Sequence, residues 1–223
     1  MNKAFAINTV SALACATLSF VWSARADTLV YQNTNTVSST RFDPGTTEVG
    51  DEITLGAGPR VLSIFKFEYW GTNFSGDETL TFTLYKNDGP PTNGFATPLS
   101  VMYSETFGGP ADLPATDKGA LTFNLLAQNI TLPDSFTWAV QFGGIDAGEG
   151  AGLSLTDSDP TVGSSHTDYW DNGSGWNVRT NTNPLQHMNF AAEIYTQVPE
   201  PGTLALAALG GFALLFVGLR RSK

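Results

Sequence analysis

The chain holds one cysteine, Cys15, and two histidines, His166 and His187. A disulfide needs a second cysteine, so none closes within the chain. Two isolated histidines lack the ligand spacing of a zinc site. No serine lies in a Gly-x-Ser-x-Gly elbow, the turn that exposes a hydrolase nucleophile. Ser165, His166 and Asp168 stand close in sequence, but adjacency is not triad geometry, and a loop histidine is the plainer reading. Positive charge is scarce as well. Between Asp27 and Gln197 there are only Arg41, Arg60, Lys66, Lys86, Lys118 and Arg179 against twenty carboxylates, a net charge of −14. Phosphate neutralisation requires the opposite sign, which excludes nucleic acid as a partner. Such a surface favours solubility outside the cell and attracts cations. Outside the two ends, no segment shows a sustained 3.6-residue apolar period with caps, which excludes a helical bundle. No repeat of fixed period is present.

What the middle does contain is strand signal. Arg60 to Trp70 places Val61, Phe65, Phe67 and Tyr69 on one face. Thr79 to Tyr85 alternates, with Leu80, Phe82 and Leu84 inward and Thr79, Thr81 and Thr83 outward. Ser135 to Phe142 aligns Phe136, Trp138, Val140 and Phe142. Shorter segments follow the same logic: Thr28–Tyr31, Glu52–Leu55, Leu99–Phe107, Ala120–Leu126, Leu153–Leu155 and Met188–Thr196. Turn clusters such as Asn87-Asp88-Gly89-Pro90-Pro91 separate them. The pattern predicts an all-β fold, an antiparallel β-sandwich of jelly-roll-like kind, filling residues 27–197.

The two ends are built differently. Lys3, an apolar run from Ala4 to Trp22 and the small-x-small triplet Ala24-Arg25-Ala26 predict a signal peptide over 1–26. Cleavage after Ala26 would remove Cys15 too; Ala12-Leu13-Ala14-Cys15 is only a faint lipobox, with Ala12 where leucine is usual. At the other end, Gly202 to Leu219 contains 18 residues and no ionisable side chain. As a helix it would span about 27 Å, against a hydrocarbon thickness of ~30 Å. Pro201 suits the entrance of that predicted transmembrane helix, and Arg220, Arg221 and Lys223 form a stop-transfer tail on the cytoplasmic side.

Val198-Pro199-Glu200-Pro201, followed by the apolar segment and the basic end, resembles the PEP-CTERM sorting signal of Gram-negative bacteria. The resemblance covers residues 198–223 and implies an exosortase, a membrane cysteine protease, as partner. It also implies removal of the tail during export to the envelope or the extracellular matrix. Stretches of the middle, among them Glu48–Ile53 with Phe67–Gly71, look like extracellular domains common in such proteins and carry no established activity.

Three chemistries remain for the middle. His166 to Trp176 sets Tyr169, Trp170 and Trp176 among Asp168, Asp171 and Asn172. Aromatic faces stack on sugar rings while polar groups bond hydroxyls, so these three are candidate glycan contacts; the alternative is that Trp170 and Trp176 plug an end of the sandwich. Asp157-Ser158-Asp159 and Asp146-Ala147-Gly148-Glu149 offer hard oxygen donors for calcium, but neither matches the Asp-x-Asp-x-Asp-Gly loop, and solvated acidic turns are the alternative. Otherwise no cofactor or metal is expected. Twenty carboxylates always allow some pair to be drawn, so glycoside hydrolysis needs geometry to support it. The sequence thus predicts a non-enzymatic, exported structural or adhesive protein of the cell envelope or of a biofilm's exopolysaccharide, anchored in the membrane as a precursor. The rival class is an enzyme acting on extracellular polysaccharide.

Overall fold

The computed structural model of the chain describes residues 26–34, 37–179 and 188–198. The signal peptide up to Arg25, His187, Pro199 to Pro201, the 202–219 segment and the basic tail lie outside the described residues. Among the described residues no helix is long and apolar enough to cross a membrane.

The described chain is all β apart from one 3₁₀ turn at Leu126–Gln128. Its strands are β1 (Thr28–Gln32), β2 (Val37–Phe42), β3 (Val49–Thr54), β4 (Val61–Thr72), β5 (Thr79–Lys86), β6 (Pro91–Thr92), β7 (Phe95–Ala96) and β8 (Val101–Gly108). They continue as β9 (Thr116–Asn124), β10 (Ser135–Gly143), β11 (Gly150–Thr156), β12 (Ser164–Ser165), β13 (Tyr169–Asp171), β14 (Asn177–Arg179) and β15 (Ala192–Gln197).

Two large antiparallel sheets result, and β6 and β7 pair separately as a two-stranded sheet. In the first, β4 pairs with β9 on one edge; its other edge takes β15 along Val61–Phe67 and β11 along Tyr69–Thr72. β1 and β2 then close the flanks, on β15 and β11 respectively. The second sheet runs β14-β13-β3-β10-β5-β8, with β12 also on β3. Eight of these strands pair in a nested way: β5 with β8, β4 with β9, β3 with β10 and β2 with β11. A long hairpin folded back on itself and rolled gives this order.

The two inner faces meet through aromatic rings. Phe82 of β5 lies 4.8 Å from Phe65 and 4.6 Å from Phe123, and Trp138 of β10 lies 5.3 Å from Phe67. Val61, Phe65, Phe67 and Tyr69 are buried together, as are Leu80, Phe82 and Leu84, and Phe136, Trp138, Val140 and Phe142. The sequence alternation placed these residues on single faces, and burial of each such side chain contributes about 1.5–3 kcal/mol. Where the strands crowd, glycine is required. A Cβ on Gly152 would sit 1.9 Å from the Phe42 carbonyl oxygen of the neighbouring strand. Residues Asp27–Gln197 form one compact unit.

Candidate functional site

β13 carries the aromatic stretch and explains its geometry. Trp170 pairs with Gly50 of β3 and with Val178 of β14. Successive strand residues point to opposite faces, so Tyr169 and Trp170 part company. Tyr169 turns inward, where its ring meets Phe42 at 4.8 Å and Phe190 at 6.2 Å. Trp170 turns to the outer face and is 2% exposed. Trp176, in the turn between β13 and β14, stands edge-on to Trp170 at 6.4 Å and to Tyr85 at 5.4 Å. The structure therefore divides the three candidate glycan contacts. It brings Trp170 and Trp176 together, sends Tyr169 to the core, and adds Tyr85, which sequence reasoning left out. The outward Thr79–Thr81–Thr83 row was the available signal, because Tyr85 is its next member.

Carboxylates hold this patch. Tyr85 donates its hydroxyl to Glu48 Oε1 at 2.8 Å, and Asn172 Nδ2 donates to Glu48 Oε2 at 2.7 Å. The Trp170 indole N–H donates to Glu52 Oε2 at 3.3 Å. Burial, then the hydrogen bond and charge of Glu48, push the Tyr85 phenol above its ordinary range, so it stays a donor. Trp170 is thus a buried anchor, while the half-buried Trp176 and Tyr85 front the surface. The outward threonines are tied to the next strand: Thr81 to Thr106 at 2.9 Å and Thr83 to Ser104 at 3.1 Å.

Beside the patch is a cleft lined by Glu52, Phe95, His166, Asp168, Tyr169 and Trp170, with a volume of about 10 Å³. That is room for one water molecule. The His166 ring packs edge-on against Phe95 at 5.0 Å. Ser165 is turned elsewhere: its Oγ lies 3.0 Å from Asp51 Oδ1, 3.0 Å from Asn189 Oδ1 and 3.1 Å from the His166 carbonyl.

Asp51 is the residue that no sequence signal marked. It is fully buried, and its second oxygen accepts the Phe190 N–H at 3.3 Å. Burial pushes its pKa well above the usual carboxylate range, more than the Ser165 and Phe190 hydrogen bonds lower it. Ser165 has one hydroxyl hydrogen and three acceptors around it; a protonated Asp51 can donate to Ser165, whose own hydrogen then serves Asn189. Nearby, Asn33 Nδ2 donates to the Phe190 carbonyl at 2.6 Å, and Asn33 Oδ1 accepts the Ala192 N–H at 2.6 Å. This network fastens the segment that leads into β15.

The calcium candidates are self-contained in part. Glu149 Oε2 accepts the Asp146 N–H at 2.8 Å, closing its own turn. Asp157 lies exposed after β11. Among the described residues no three His, Cys, Asp or Glu side chains converge.

The sorting stretch begins where the sheet ends. Gln197 pairs with Val61, and its Nε2 donates to Asp27 Oδ1 at 2.6 Å; the next residue, Val198, is exposed. Residues 197–222 match the family model of the PEP-CTERM protein-sorting motif. That motif points to an exported protein recognised by an exosortase. No curated protein and no solved structure matches the chain.

Proposed function

We propose that residues 27–197 are a jelly-roll cargo domain, delivered by the exosortase route to the envelope or exopolysaccharide matrix, where it plays a structural or adhesive part. The observation that carries this reading is the junction at Gln197. A fully paired strand passes with no spacer into the matched sorting motif, so the motif handles a folded domain. The nested pairing of eight strands is the order expected of a jelly roll. In this reading 1–26 is a removed signal peptide, and 202–219 anchors the precursor in the membrane until processing.

Glycan contact is the concrete form of the adhesive role. Trp176 and Tyr85 present ring edges and faces beside Glu48 and Asn172, which combines stacking with hydroxyl recognition. The cleft beside it favours binding over hydrolysis. It does set Glu52 and Asp168 among aromatic rings, but about 10 Å³ is far below the ~300 Å³ at which ligand pockets begin. In this reading the domain acts without catalysis and without a cofactor. A polysaccharide pull-down with the soluble domain tests this: wild type is retained, and Trp176→Ala loses roughly 1–3 kcal/mol of binding, by analogy with single stacked bases on aromatic rings. Equal retention of both, with unchanged thermal stability, would remove the patch as the contact.

A further inference from the structure

We infer that the end of the sandwich from which Val198 emerges is a lipid-facing surface, pressed on the bilayer while the precursor is anchored. The inference rests on the reading of 202–219 as a membrane span.

The register shows which residues share that end. Gln197 lies opposite Val61, and Val61 bridges to Thr131. The turn after Thr131 leads into β10, where Ser135 lies opposite Thr54 and Phe136 opposite Lys86. The Lys86 carbonyl accepts the Leu99 N–H at 3.0 Å, and Val101 lies opposite Tyr85. Among the described residues three large apolar side chains are exposed: Leu99 at 59%, Val101 at 57% and Val198 at 66%. All three sit at this one end.

The chain that enters is there too. Thr28 lies opposite Thr196, and Asp27 is hydrogen-bonded to Gln197. Both connections of the domain therefore leave side by side.

Chain length then limits the distance. Four residues lie between Gln197 and Gly202, so five steps along the chain give a reach of about 17 Å when fully extended. The interfacial layer outside the hydrocarbon is about 5–8 Å deep on each side. Leu99 and Val101 are thus held within a loop's length of the headgroups, where aliphatic side chains gain by insertion.

The two ends differ in how acidic they are. The loops at the opposite end (43–48, 73–78, 109–115 and 144–149) contain carboxylates such as Asp77, Asp112 and Asp146, and no lysine or arginine. Anionic headgroups would repel that end. The lipid-facing end is the less acidic of the two: Lys86 and Arg60 stand there beside Asp27, Asp88 and Asp134, with Arg60 and Asp134 2.7 Å apart.

The test uses the full chain with Cys15→Ser, reconstituted in vesicles containing a third anionic lipid. Single cysteines are introduced as Leu99→Cys, Val101→Cys or, at the opposite end, Ala147→Cys, and labelled with an environment-sensitive fluorophore. Nitroxide-labelled lipids should quench positions 99 and 101 several-fold more than position 147. Equal quenching at all three positions, in protein that floats with the vesicles, would overturn the inference while leaving the span intact. Protein that does not float would overturn the span reading and the inference with it. Shielding of position 99 that needs added exosortase, without lipid quenching, would also overturn it, in favour of the protease.

Discussion

Asp51 shows how a single side chain can set the pH response of the domain. In the unfolded chain an aspartate titrates near 3.9; folded, Asp51 is fully buried and its pKa is raised. The folded state therefore keeps a proton that the unfolded chain releases. Stability falls as pH rises from about 4 toward the raised value, by up to about 1.4 kcal/mol per pH unit, and levels off above it. Asparagine is nearly isosteric, cannot ionise, and can still donate to Ser165 and accept from Phe190. Asp51→Asn should match wild type in urea midpoint near pH 4 and exceed it at pH 8. Parallel midpoint curves for the two proteins would show that Asp51 does not titrate in this window. Tyr103, on the rim of the same sheet, is pushed up to about 12 by partial burial and by its hydrogen bond to Glu105. It has no comparable role at physiological pH.

Among the elements, the edge strands are the exposed risk of a two-sheet fold. β8 and β9 end their sheets among the described residues, and each leaves one edge of backbone groups without a strand partner. Charge guards both. Glu105 lies opposite Phe82, so its carboxylate points to the core side of the β8 edge. An inward-pointing charge at an edge discourages another strand from pairing there. On β9, Asp117 and Lys118 are engaged by Arg41 at 3.0 Å and Glu68 at 3.3 Å. Glu105→Val should keep the fold and shift the domain from monomer toward oligomers in sedimentation velocity, at concentrations where wild type does not associate. A variant that stays monomeric over the same range would assign the protection to something other than this charge.

Much of this element layer was legible. β4, β5 and β10 were readable because their alternation is clean and their inner residues are large. β2 was not: Ser38, Ser39 and Thr40 give no apolar face, and the strand exists because β11 offers it a ladder. β13 and β14 are not predicted as strands, since three-residue strands have too few positions to show a period. The aromatic patch was half legible for the same reason. Trp170 and Trp176 were singled out, but only pairing to β3 decides that Tyr169 faces the core and that Tyr85 joins them. The buried Asp51 could not be read at all, because Gly50-Asp51-Glu52 looks like any acidic strand end.

At the scale of the whole molecule, the fold gives the two processing points a common location. The predicted signal-peptide junction at Asp27 and the sorting motif after Gln197 are joined by a hydrogen bond across adjacent strands. β15, the strand that runs into the motif, is flanked by β1 and β4 and tied at its start by the Asn33 and Asp51 bonds. Cutting beyond Val198 would leave every described strand of the sandwich in place, so release of the tail need not cost the domain its stability. The same junction makes a test at the level of processing: three Gly-Ser pairs inserted between Gln197 and Val198 should leave the domain's melting temperature unchanged and not slow removal of the tail. Slower removal on insertion would mean that the protease reads the folded end as well as the motif.

The most direct measurement is the intact mass of the exported protein from a host with an active exosortase. The expected product is a chain that starts at Asp27 and has lost the segment after Glu200. A protein recovered from the envelope or medium with residues 202–223 still attached, in that same host, would contradict it.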